Sequence, residues 1–137
     1  MKYEFIKKGE DLVVLKYKDK ELEFKTNVKT ISEIQSLTAE ARIRMIEDYA
    51  SKGKSIKELV IETKKDGKTY FDNTNKSELE KVYQEKVTLE YFDNKCLELF
   101  KMGFTELITD IGIEDEKESE KFAIDLMQNI SGNSPRQ

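Results

Sequence analysis

The sequence contains no histidine and a single cysteine, Cys96, and these two scarcities exclude several kinds of chemistry. Without histidine there is no imidazole to act as acid or base, to activate a serine or cysteine nucleophile, or to bind a metal. A lone cysteine forms neither an intramolecular disulfide framework nor a thiolate zinc site. An enzyme that uses carboxylate or lysine side chains ranks last, after the two protein-binding hypotheses given below. We therefore predict a non-enzymatic protein with no catalytic, cofactor-binding or metal-binding residues.

Glycine-rich phosphate loops are also absent, since the six glycines are scattered singly at turns and helix ends. The segment 72–77 is rich in oxygen ligands, as a calcium loop would be. However, counting from Asp72 the fifth position is Lys76, and counting from Asn73 the twelfth is Gln84, so neither register fits an EF-hand. We interpret the segment as a loop between a hairpin and a helix.

Long apolar runs are missing too. No stretch approaches the ~20 apolar residues of a membrane span, and lysines and a glutamate interrupt the first residues, so no signal peptide is expected. Together with the lone cysteine, this predicts a cytoplasmic protein that has no contact with a membrane. The residues that follow Ile130 are polar and predict a flexible tail over 131–137.

The charge is unevenly distributed. Residues 1–70 hold 16 Lys and Arg against 13 Asp and Glu, whereas residues 71–137 hold 8 against 15. The acidic second half argues against nucleic acid as a partner, because binding phosphates requires clustered basic side chains. The acidic run at 110–120 is interpreted as a solvated face, with an acidic surface for a basic partner as the alternative.

Two regions carry the pattern of β-strands. Near the N-terminus, segments around Tyr3 and Phe5, Leu12–Tyr17 and Glu21–Lys25 alternate or are rich in β-formers, which predicts an antiparallel meander. Further along, Asp66-Gly67 separates two short β-rich runs, which is typical of a hairpin.

Four segments have helical periodicity. One of them is Thr38 to Ser51, whose recurring apolar residues predict a buried stripe of Ile43, Ile46, Tyr49 and Ala50. Another is the long segment Ser77 to Met102, for which Ser77 and Glu80 would form a capping box and Gly103 the stop. Shorter helices are predicted at 106–111 and 115–130. The sequence thus predicts an α+β fold, a meander and hairpin packed with about four helices, as a single domain over residues 1–130.

The apolar stripe of the long helix changes direction along its length. Leu79, Val82, Tyr83 and Val87 define one face, and Leu89, Phe92, Cys96, Leu99 and Phe100 another, rotated by roughly a quarter turn. Either the helix has different partners at its two ends, or it breaks near Val87-Thr88, where β-branched residues weaken helix propensity. The drift then reflects an irregular core stripe, or one half of the helix packs on the sheet and the other meets a partner protein, with the changeover at Val87–Leu89. We predict a protein-binding surface on the second face and on the stripe of the last helix, made of Leu89, Phe92, Leu99, Phe100, Phe122, Leu126 and Ile130.

The chain resembles the small tail assembly chaperones of long-tailed phages and prophages of Gram-positive bacteria. The resemblance lies in the opening Met1–Ile6 and Glu21–Lys25 strands, in Thr105–Asp110, and in the closing Phe122–Met127 helix with its Ser131-Gly-Asn tail. It implies a chaperone that coats the apolar tape measure protein, recruits the major tail protein, works in the host cell cytoplasm and can form homo-oligomers. A longer frameshifted product is also known in that family.

A second hypothesis is a small acidic inhibitor or antitoxin-like module that uses the acidic run against a basic target. Ionic strength would separate the two hypotheses, because charge-driven binding weakens steeply with salt and apolar binding does not.

Overall fold

The computed structural model describes residues 2–132 and begins with an antiparallel meander. Strands β1 (Glu4–Lys7), β2 (Leu12–Tyr17) and β3 (Lys20–Lys25) form a three-stranded sheet in that order. Alternate residues of the strands face the same side, and Phe5 pairs with Leu15 while Leu15 pairs with Leu22. Glu21, Glu23 and Lys25 of β3 are exposed on the opposite side. The predicted meander is confirmed.

The predicted hairpin is also confirmed. Strands β4 (Ile61–Lys65) and β5 (Lys68–Asp72) pair in antiparallel fashion. Asp66 and Gly67 both have positive φ angles, of 53° and 73°, which is the backbone that a two-residue type I′ turn requires. Every residue of both strands is exposed, so neither face of this hairpin is covered.

In the part of the chain that the structure describes, five α-helices complete the α+β fold, which agrees with the predicted fold class. They are α1 (Lys29–Gln35), α2 (Leu37–Ser51), α3 (Thr74–Phe100), α4 (Phe104–Ile111) and α5 (Glu116–Ile130), and a 3₁₀ turn lies at Ile56–Leu59. Helix α1 lies outside the four segments that the sequence predicts to be helical. Within residues 2–132, none of the helices has the length and apolarity that crossing a lipid bilayer requires.

The ends of α3 differ from the prediction. The helix begins at Thr74, whose backbone N–H donates to the Asp72 carboxylate at 2.9 Å, so Ser77 lies inside the helix and the predicted capping box is wrong. It ends at Phe100, and Lys101 takes the left-handed conformation with φ of 61°. Gly103 is instead the residue that precedes α4. A Cβ at Gly103 would collide with the Asp93 carboxylate, so a larger residue at this position would require that carboxylate to move.

The contacts of the chain divide it into two compact units. Unit 1 is Met1–Gln35 with Glu90–Gln137, of which the structure describes 2–35 and 90–132; unit 2 is Ser36–Leu89. Helix α3 is continuous, but its residues pass from one unit to the other after Leu89. The boundary between the units thus falls at the predicted changeover, Val87–Leu89. That one half of the helix meets a partner protein stays a prediction, as does a single domain over residues 1–130.

Unit 1 contains a hydrophobic core rich in aromatic rings. The meander contributes Tyr3, Phe5 and Phe24, and the rings of Tyr3 and Phe122 lie 4.9 Å apart, edge to face. Helix α4 buries three residues at helical spacing, and so does α5. Such rings bury large apolar areas, and edge-to-face pairs contribute a further ~0.5–1.5 kcal/mol each.

Helix α2 in unit 2 buries a different stripe from the predicted one. The prediction placed Ile43, Ile46, Tyr49 and Ala50 in the core. The buried residues are instead Leu37, Ala41 and Met45, and both isoleucines are exposed. Both sets recur at helical spacing, so periodicity cannot choose between them.

The predicted tail 131–137 is described only at its first two residues. Ser131 is buried, and Gly132 has a positive φ of 76° just beyond α5. The prediction for 133–137 lies outside the described residues.

Candidate protein-interaction surface

Four residues of the predicted binding surface lie in the core of unit 1. Phe100, Phe122, Leu126 and Ile130 are all buried and belong to its hydrophobic cluster. A side chain enclosed by its own fold offers no area to a partner. The structure thus corrects the prediction at these positions, because the stripe of α5 faces the meander and α4 rather than solvent.

The other three residues of the predicted surface differ among themselves. Phe92 and Leu99 are half-buried and pack against the same core, where the rings of Phe92 and Phe104 lie 5.2 Å apart. Leu89 is 56 % exposed, at the end of unit 2. Of the seven predicted residues, Leu89 is thus the one with most of its side chain in solvent.

Exposed apolar side chains are concentrated in unit 2. Leu37, Ala41, Met45 and Val87 are its buried residues, whereas a larger set of large apolar residues is exposed. We call this set the unit 2 apolar set: Ile43, Ile46, Ile61, Tyr70, Phe71, Val82 and Leu89. Folded domains expose single apolar residues routinely, whereas a large contiguous exposed apolar patch marks a binding surface, and these seven residues are the candidates to form one.

The unit 2 apolar set lies on three elements. Ile43 and Ile46 are three residues apart on α2, and Val82 and Leu89 are seven apart on α3, so each pair shares a helix face. In the hairpin, the cross-strand register places Phe71 opposite Glu62, with its side chain 64 % exposed.

A shallow groove in unit 2 contains one member of this set. We call it the Val82 groove, and its lining residues come from α2, the 3₁₀ turn and the start of α3: Tyr49, Leu59, Asn75, Glu78, Leu79 and Val82. Four of the six are apolar or aromatic, and Val82 is 58 % exposed. Sequence analysis placed Leu79 and Val82 on one helix face but did not identify this groove, because Tyr49 and Leu59 approach them only through the tertiary fold.

Two polar contacts hold α2 against α3 beside this groove. The Tyr83 hydroxyl donates a hydrogen bond to the Asp48 carboxylate, and Arg42 Nε lies 3.2 Å from Glu80 Oε2. The hydrogen bond to Asp48, aided by burial, raises the pKa of Tyr83 to about 12. Tyr83 therefore stays a hydrogen-bond donor throughout the neutral range.

A second polar cluster lies in unit 1. The Lys95 side chain is 10 % exposed, and its Nζ lies 3.0 Å from Glu33 Oε1 and 3.2 Å from Glu98 Oε2. Tyr91 donates from its hydroxyl to Glu33 Oε1 at 2.8 Å. Burial acts to lower the pKa of Lys95, but its bonds to the two glutamates outweigh burial and raise it. The pKa of Glu33 is lowered by the bonds from Tyr91 and Lys95.

These titratable groups have the wrong protonation states for nucleophilic catalysis. A nucleophilic lysine must lose its proton, whereas the pKa of Lys95 is raised. Burial raises the pKa of the Cys96 thiol to about 12, which keeps it protonated and unreactive. No group of three or more acidic or cysteine side chains among residues 2–132 is placed to hold a metal ion.

The acidic run at 110–120 is partly occupied by contacts within unit 1. Asp110 Oδ2 accepts hydrogen bonds from the Tyr17 hydroxyl at 2.6 Å and from Lys20 Nζ at 2.7 Å. Glu118 Oε2 lies 3.4 Å from Lys2 Nζ. Two of its six carboxylates thus stabilise the fold of unit 1.

No protein-family profile, no curated protein and no solved structure matches this chain. Any statement about its function therefore rests on its own residues.

Proposed function

We propose that this chain is a non-enzymatic protein-binding module, and that unit 2 supplies its contact surface. The observation that carries the proposal is the unit 2 apolar set, which leaves more large apolar side chains in water than the unit buries. Removing apolar area from water is favourable by about 25 cal/mol per Å² before the entropic costs of association are subtracted, so this set offers a partner a source of binding free energy. The Val82 groove offers the concave part of such a surface.

Within this class, we propose a small tail assembly chaperone that binds the tape measure protein and the major tail protein. Two features support this choice: the resemblance of the strand and helix segments to that family, and an apolar surface on a chain in which 38 % of the residues are charged. A chaperone for an apolar client needs both, because the charged body keeps the complex in solution while the apolar faces bind.

The acidic inhibitor is the weaker alternative. It needs carboxylates that are available to a basic target, and both Asp110 and Glu118 already pair with lysines of the same chain. An apolar surface in unit 2 would also have no role in such an inhibitor.

The test is a binding titration of the purified full chain with the product of the long, helical open reading frame that the proposal expects beside its gene. We expect Val82→Asp to weaken binding by about tenfold or more, because a charge would enter the apolar contact. Ile124→Asp is the matched control, since Ile124 is equally exposed, at 59 %, but lies in unit 1.

Two results would contradict the proposal. One is the absence of such a reading frame or of binding by its product, which would reject the tail chaperone. The other is binding that Val82→Asp leaves unchanged, or that falls steeply as salt rises, which would favour the acidic run instead.

A further inference from the structure

Helix α1 is attached to unit 1 with little help from apolar burial. Thr30 is its buried residue, whereas Ile31 is 39 % exposed and Ile34 is half-buried. No residue of α1 belongs to the hydrophobic cluster formed by the described residues of unit 1. Because burial of apolar area is the usual source of helix attachment, α1 must depend on other contacts.

Those contacts converge on one carboxylate. Glu33 Oε1 accepts the hydrogen bond from the Tyr91 hydroxyl and lies 3.0 Å from the buried Lys95 ammonium. Lys95 is also over the Tyr91 ring, at 5.6 Å from its centroid. Lys95 is the buried member of this ion pair, whereas the Glu33 side chain is 43 % exposed. Removing the Glu33 carboxylate is costly because the buried ammonium then keeps only its pairing with Glu98.

The position of these residues along the chain gives the cluster its significance. Unit 1 consists of two chain segments, the first of which ends at Gln35 and the second of which begins at Glu90. Glu33 lies two residues before the end of the first segment, and Tyr91 lies one residue after the start of the second. The chain leaves unit 1 and returns to it at these two points. The Tyr91–Glu33 hydrogen bond and the Lys95–Glu33 ion pair therefore connect the end of the first segment of unit 1 directly with the beginning of the second.

We infer that Glu33, Tyr91 and Lys95 form a clasp that makes α1 and the first turns of α3 within unit 1 open and close as one element. The core of unit 1 stabilises its meander, α4, α5 and the face of α3 that carries Phe92 and Cys96. The clasp adds the polar contacts through which α1 and the first turns of α3 open together. Loss of one clasp contact frees both segments, although they are far apart in sequence, because each is the other's polar partner.

The experiment is hydrogen–deuterium exchange of the full chain carrying Tyr91→Phe. This change removes the hydroxyl and keeps the ring over Lys95. We expect exchange to rise roughly tenfold, the effect of losing one hydrogen bond to a charged group, in peptides covering both 29–35 and 90–95. Peptides of the meander and of α5 should keep their protection.

Tyr17→Phe is the matched control. It removes the same kind of bond, from a tyrosine hydroxyl to Asp110, within the same unit but away from both segments. Its effect should be confined to β2 and α4. A uniform rise across unit 1 in both variants, or a rise in only one of the two clasp segments, would overturn the inference.

Glu33→Gln provides a second test if Tyr91→Phe proves too mild to measure. The amide keeps the size of the side chain but removes the charge that Lys95 faces, so both segments should again open together and by more than in Tyr91→Phe. Unchanged exchange at 90–95 in the Glu33→Gln protein would refute the clasp, because nothing on α3 itself has been altered.

Discussion

Units 1 and 2 use their apolar residues in opposite ways. Unit 1 encloses its aromatic residues between the meander, α4 and α5, and Phe122 and Leu126 have no exposed surface. Unit 2 buries four residues and leaves a larger apolar set in solvent. Six of the seven phenylalanines belong to unit 1, so both composition and the faces that the fold covers separate the two units. The enclosed core of unit 1 therefore stabilises its fold, whereas the exposed apolar residues of unit 2 are the ones that we propose to bind a partner.

The largest expected effect is in the core of unit 1. Phe122→Ala removes a fully buried ring that contacts the rings of Tyr3 and Phe5, and we expect the free energy of unfolding to fall by about 3–5 kcal/mol. Denaturant-induced unfolding followed by circular dichroism measures it. Ile124→Ala on the exposed side of the same helix should stay within about 0.5 kcal/mol of the unchanged protein. Equal losses of unfolding free energy in Phe122→Ala and Ile124→Ala would show that the buried and exposed positions of α5 do not differ.

A smaller and more local effect is expected in unit 2. Met45→Ala deletes a buried side chain from α2, and we expect a loss of about 2 kcal/mol, at the low end for such a change. Hydrogen exchange should rise within 36–89 while the peptides of α5 stay protected. If α5 loses protection to the same extent, the units unfold together and their distinction is only geometric.

The third effect tests a polar contact in unit 1. The Asp93 carboxylate accepts from the Phe104 backbone N–H at 3.0 Å, and Gly103→Ala would place a Cβ against that carboxylate. We expect a loss of about 1 kcal/mol, the usual value of a helix cap. The check is a double-mutant cycle with Asp93→Ala, measured by chemical denaturation: once the carboxylate is gone, Gly103→Ala should cost less. Fully additive losses would show that Asp93 is not what restricts position 103.

The smallest effect is the alkaline titration of unit 2. Tyr83 has a folded pKa of about 12, above its ordinary value of 10, so its bond to Asp48 stabilises the fold below pH 10 and is lost as the pH rises toward 12. The ultraviolet difference between the unchanged protein and Tyr83→Phe should report a tyrosinate forming near pH 12. If the ultraviolet difference instead titrates near pH 10, the Tyr83–Asp48 hydrogen bond between α2 and α3 does not form.

Local signals in the sequence were sufficient for much of the fold. The period-two alternation of Glu21–Lys25 and the Asp66-Gly67 turn predicted the meander and the hairpin, because side-chain alternation and positive φ angles depend on neighbouring residues alone. The drift of the α3 stripe located the passage between units to within a residue.

The candidate site was less accessible to sequence analysis. Phe122 and Leu89 are both apolar residues at helical spacing, yet the first is buried and the second exposed. A helical stripe shows that a face is apolar, but it does not show whether that face meets the protein's own core or a partner. The capping box at Ser77 failed for a related reason, since Asp72 caps the helix earlier through a side chain that the hairpin positions.

The amino-acid sequence by itself determined the α+β class, the strand pairing of the meander and hairpin, and the absence of histidine chemistry. These follow from composition and from interactions between near neighbours. The tertiary structure alone decided which α2 face is buried, where the apolar surface lies, and that Glu33 meets Tyr91 and Lys95. The physical reason is that burial and long-range pairing depend on residues far apart in the chain, whose approach no local pattern records.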